Sequence, residues 1–105
     1  MPLRSFPVVD AGNDVQRRVL AESPELMLVE FAFAATGVGA PHSHPHVQST
    51  FVKSGRFAFT VAGETFEVGP GDAFVIPSNA VHGCRALGGP GVLIDTFTPR
   101  RDDFL

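Results

Sequence analysis

No stretch of this chain stays apolar for long. "ELMLVEFAFA", "VQSTFVKSG", "RFAFTVAG", "ETFEVGPGD", "AFVIPSN", "VHGCRAL" and "VLIDTFTP" follow one another, and Gly, Pro, Asn or Asp marks nearly every boundary. Eleven Gly and nine Pro in 105 residues favour short strands joined by turns over long helices. Alternation sets Met27, Val29, Phe31 and Phe33 on one face of a strand, and Phe57, Phe59 and Val61 on one face of another. Gly63–Glu64 is expected to make the hairpin turn toward Phe66 and Val68. "QRRVLAES" fits a strand or a helical turn equally well. "GPGD" and "GGPG" lack a GK[ST] signature and read as turns, not phosphate loops. The whole pattern predicts one all-β domain over residues 1–105, a small jelly-roll barrel.

Several function classes fall away. The net charge is −3 and there is no Lys/Arg run, so nucleic acid is not an expected partner. "LMLVEFAFAA" is interrupted by Glu30 and is too short to cross a bilayer, so no membrane partner is expected. "MPLRSFPVVD" has no apolar signal core, and Cys84, the single cysteine, permits no intrachain disulfide. A soluble cytoplasmic protein is the expectation.

The chemistry is concentrated in "GAPHSHPHVQ". His42, His44, His46 and Gln48 fall at every second position, so in a strand they would face one side. His82, the remaining histidine, lies in a later strand, "AVHGC". Neutral imidazoles converging from two strands inside a barrel point to a bound metal. His46 either backs the site or turns away at Pro45. Cys84 shares parity with His82 and is read as a small buried apolar side chain.

These residues resemble the two motifs of the cupins. The first runs His42, His44, Gln48 and Gly55; the second runs Gly71, Pro77 and His82. Gln48 stands where the pattern has Glu, Asn79 where Gly is common, and Ala86 where the motif closes on Asn. Gly37 is one residue closer to His42 than the pattern's glycine. The resemblance implies a double-stranded β-helix barrel holding one divalent transition metal ion. Nickel, zinc, iron, cobalt and manganese all suit such donors.

The end of the chain, "VLIDTFTPRRDDFL", adds an acid in an apolar strand. Leu93, Asp95 and Phe97 share parity; either Asp95 faces the interior, where a carboxylate needs a partner or a task, or Ile94 does. Pro99 is expected to end the strand. Arg101 would then cover the barrel mouth, Arg100 would point to solvent, and Phe104 and Leu105 would anchor the tail.

From "VDAGNDVQRRVL" to "DTFTPRRDDFL" the chain resembles the KdgF-type pectin-degradation cupins, most specifically in "HSHPH-x-Q" and in the Asp95, Phe97 and Arg101 tail. That resemblance implies metal ligation by His42, His44, Gln48 and His82. It implies a substrate site with Asp95 and Arg101 as catalytic groups and Phe97 beside the sugar. The implied reaction turns 4,5-unsaturated monouronates from pectin or alginate into linear ketonised sugars. Val47, Ser49 and Lys53 depart from the family's pattern beside the site. The rival readings are a dioxygenase of quercetinase type and a non-catalytic sugar-binding cupin. A homodimer is expected, since so short a jelly roll leaves open sheet edges.

Overall fold

The computed structural model describes residues 3–105; Met1 and Pro2, part of the N-terminal stretch read above, lie outside the described residues. Eight strands run β1 (Val9–Gly12), β2 (Val15–Ser23), β3 (Leu26–Phe33), β4 (Val38–His42), β5 (Val47–Val61), β6 (Glu64–Val68), β7 (Ala73–Ile76) and β8 (His82–Thr98). A single 3₁₀ turn over Asp102–Phe104 follows, and no α-helix occurs among the described residues. "QRRVLAES" resolves as strand: it pairs antiparallel with β3, and Val15 and Val19 are buried on its inner face.

Two strands are much longer than the punctuation suggested. β5 runs through Gly55, and β8 runs through "GGPG", which is therefore not a free turn. Leu87 pairs with Arg56 and Val92 with Ser54, so β8 spends extra residues where β5 spends few, and the ladder bulges. Gly88 and Gly55 take the left-handed backbone this bend requires, at φ 71° and 79°. The strands also touch there: a Cβ on Gly55 would lie 2.6 Å from the Gly91 Cα. The hairpin turn falls one residue earlier than expected, at Ala62–Gly63, both at positive φ, because Glu64 already pairs with Val61.

This bend lets one ribbon run through two layers of a single eight-stranded sheet. Val47–Ser54 and Val92–Thr98 lie with β7 and β3, which continues to β2 and β1; Arg56–Val61 and His82–Leu87 lie with β6 and β4. The layers close on a core of Val15, Phe33, Val52, Phe57, Phe59, Val68, Ala86 and Leu93. A second cluster of Val19, Met27, Val29 and Phe97 carries Phe31 and Phe104 against it. Leu105 is 56% exposed, so of the two expected apolar anchors only Phe104 packs against the core.

Candidate metal centre and the cavity around it

The histidine stretch is not one strand. β4 ends at His42 and β5 starts at Val47, so His44 and His46 lie in a loop. Pro45 cannot donate to a ladder, and the loop is held from the side. Asn79 N–H donates to the His44 carbonyl at 2.8 Å, and the Ser78 hydroxyl to the Pro45 carbonyl at 2.6 Å. Asn79 sits at φ 65°, which explains why glycine is common there and why Asn is tolerated.

Convergence follows from the loop and not from strand parity. Nitrogens of His42, His44 and His82 lie within 4.8 Å of one another. Each imidazole has Nδ1 against a backbone carbonyl: His42 on Ala40 at 2.9 Å, His44 on His46 at 3.1 Å, and His82 on Ala80 at 2.9 Å. A carbonyl only accepts, so each Nδ1 donates and each Nε2 keeps its lone pair. Gln48 Nε2 donates to Thr50 Oγ1 at 3.1 Å, which turns Oε1 toward His44 Nε2 at 3.0 Å. With those tautomers, two acceptors face each other across that gap, and the buried His82 Nε2 finds no hydrogen-bond partner at all. Converging lone pairs of this kind fit a cation. Burial, first among the causes, holds His44 and His82 below the ordinary imidazole range and so in the neutral, ligating form.

His46 is not in this cluster. Its ring lies 5.3 Å from His44 and 6.4 Å from Phe97, and its carbonyl orients His44. Burial raises the half-buried Cys84 thiol to about 12, so it remains a neutral apolar filler.

Asp95 faces inward at 6% exposed, and Ile94 does not take its place. Its Oδ1 has no hydrogen-bond partner. Burial pushes the carboxyl up to about 7, against the opposing pull of Thr50, Gln48 and Arg101. A cavity of about 340 Å³ joins it to His42, Gln48, His82, Phe97 and Arg101. Phe97 is 1% exposed and forms its wall. The Arg101 guanidinium stands 5.3 Å from the Phe97 ring and 4.2 Å from Phe104, and Asp103 accepts from its Nε at 3.1 Å and Nη2 at 2.9 Å. Arg100, expected in solvent, is instead bonded to Glu22 and Asp102.

Some cavity groups escaped the sequence reading. Arg17 lines the cavity too, and its parity with Val15 and Val19 was the available signal once the stretch is a strand. The carbonyls of Ala40 and Ala80 that set the imidazole tautomers carry no sequence signal. A larger depression of about 580 Å³ at the β1–β2 turn, lined by Asp10, Asn13 and Asp14, includes none of the histidines.

A family model described as Cupin domain matches residues 29–97. The chain is 38% identical over 100 residues to the pectin degradation protein KdgF of Dickeya dadantii, covering 94% of this chain and 91% of that one. The solved structure of KdgF from a Halomonas species matches with a TM-score of 0.90 at 39% identity, covering 97% of this chain and 98% of that chain. An RmlC-like cupin from Shewanella frigidimarina matches at 0.89 and 35% identity, covering 95% and 89%.

Proposed function

The chain belongs to the cupin family, with KdgF among its relatives, and we propose that it converts 4,5-unsaturated monouronates into linear ketonised 4-deoxy-5-keto-uronates. One observation carries the reading: Asp95, a buried acid with an unpartnered oxygen, shares a cavity with the imidazole cluster while Arg101 stands beside it.

The substrate class is a cyclic hemiacetal whose ring oxygen is attached to a C4=C5 double bond, with a carboxylate on C5. Its conversion is an isomerisation and needs no co-reactant. The anomeric hydroxyl loses its proton and the bond from C1 to the ring oxygen breaks, giving an aldehyde. The electron pair stays on the former ring oxygen as an enolate, C4 takes a proton, and C5 becomes a ketone. Asp95 takes the anomeric proton on Oδ1 and returns one to C4, so a single carboxylate serves as base and then acid.

When bound by His42, His44, Gln48 and His82, a divalent cation supplies Lewis-acid stabilisation of negative charge on oxygen. Gln48 keeps that donor set neutral and leaves proton transfer to Asp95. Asp103 engages Arg101 through Nε and one Nη2 hydrogen, which leaves Nη1 and the second Nη2 hydrogen as a fork for the substrate carboxylate. Phe97 packs beside the sugar ring.

The test is to mix metal-loaded protein with monouronates made by pectin lyase and by alginate lyase, and to follow loss of the conjugated ultraviolet absorbance. Turnover of at least one is expected. Asp95→Asn should keep the metal and lower kcat by about a hundredfold or more; wild-type turnover by that variant would remove Asp95 from the mechanism. Binding without loss of the chromophore would instead identify a sugar-binding module, and oxygen uptake would identify a dioxygenase.

A further inference from the structure

We infer that Arg17 is a specificity-determining residue of this cavity, supplying the positive charge that selects a carboxylate-bearing sugar over a neutral one. The inference deepens the uronate reading and rests on it for the substrate class. Arg17 lies between Val15 and Val19, each 5% exposed, on the face of β2 that looks into the barrel. It pairs in register with Phe31 of β3 and lines the same cavity as His42, Gln48 and Asp95. An arginine at an inward position needs a counter-charge or a ligand that brings one.

The two arginines of the cavity differ in this respect. Arg101 already has a carboxylate partner in Asp103, at 2.9 Å, which takes one edge of its guanidinium. Among the described residues Arg17 has no carboxylate within ion-pair distance; Arg18 beside it is the one that pairs with Glu30. The Arg17 guanidinium instead lies 4.4 Å from the Phe104 ring centroid, and Phe104 in turn packs edge-on against Phe31 and Phe97. The aromatic contact fixes the position of the guanidinium without cancelling its charge. Arg17 thus brings to the cavity a charge that no carboxylate among the described residues pairs with, and this biases the cavity toward an anion. Its planar fork suits a carboxylate, whereas a neutral hydroxymethyl at the same sugar carbon gains no such pairing.

Two measurements test this on metal-loaded protein. Calorimetric titration with D-galacturonate and with D-galactose gives the preference for the charged sugar, and unsaturated monouronate turnover gives KM and kcat. Wild type should prefer galacturonate. Arg17→Met, which keeps an apolar stem over Phe104, should lose about tenfold of that preference and raise KM about tenfold with kcat nearly unchanged. Arg17→Lys should restore part of both. Arg17→Gln takes the place of Arg17→Met if the latter fails to fold. A neutral variant that keeps the wild-type preference and KM overturns the role of Arg17, and wild-type turnover then leaves the functional reading intact. A wild type without preference also overturns it. If wild type turns over no unsaturated uronate while the preference still depends on Arg17, the functional reading fails and anion selection by Arg17 stands.

Discussion

Arg100 reaches back across 78 residues of sequence to donate through Nη1 to Glu22 Oε2 at 2.9 Å. Glu22 also accepts from Arg4, so one carboxylate, its side chain only 5% exposed, gathers the N-terminal segment, β2 and the tail. The adjacent Arg101 turns into the cavity instead. Two neighbouring arginines are thus divided between holding the tail and lining the cavity.

That division predicts opposite consequences for two alanine substitutions. Arg101→Ala should lower kcat/KM on an unsaturated monouronate by about ten- to a hundredfold, the loss of a charge-assisted contact. Arg100→Ala should lower the thermal midpoint and leave KM near its wild-type value. Steady-state kinetics and melting curves on the two variants decide the matter; matching effects in both assays would refute the division.

Glu22 should give the fold an acid-sensitive component. The hydrogen bonds from Arg4, then Arg100, hold its carboxyl below the ordinary value of 4.5. A carboxylate depressed in this way binds fewer protons folded than unfolded. Its contribution is complete above about 4.5 and is lost as pH falls further through its folded range. The gap in thermal midpoint between wild type and Glu22→Gln should therefore be present at neutral pH and close under acid conditions. A gap independent of pH would contradict the linkage.

A metal ion held by the imidazole cluster should stabilise the fold. A divalent ion held at about a hundred times its Kd should add about 2.7 kcal/mol to the folded state, and chelation should remove it. His42→Ala and His82→Ala should each lose bound metal by elemental analysis and lose the chelator-sensitive part of the melting temperature. Equal midpoints with and without chelator in wild type would argue against a bound ion.

The inward face of β3 was legible because alternation is a local property: Met27, Val29 and Phe33 are buried as the pattern required. In β8 parity grouped Leu93, Asp95 and Phe97 but left open whether they or Ile94 face inward, and it is those three that are buried. His42, His44, Gln48 and His82, which the fold brings together, were legible as residue types at motif spacing. Their geometry was not, because His44 is placed by a loop held from Ser78 and Asn79, contacts between segments far apart in sequence. "GGPG" has the composition of a turn, and only its pairing with β5 makes it a bulge inside a strand. Arg100 looked solvated because nothing local announces Glu22. Arg17 was hidden by the same ambiguity: the inward positions of "QRRVLAES" acquire meaning only when β3 fixes the stretch as a strand.

The bend of the β5–β8 ribbon at Gly55 and Gly91 also governs when the site comes into being. Along that ladder Gln48 faces Phe97 at one end and Val61 faces His82 at the other, yet Gln48 and His82 line a single cavity. Donors from a loop after β4, the start of β5 and the start of β8 must therefore meet with an acid from late in β8. Bringing the residues around β4 and the start of β5 to those of β8 closes long loops, and such closures are slow and come late. Metal capture is then an event of the completed barrel, and the rate at which refolding chains become able to retain an ion reports final closure rather than early collapse.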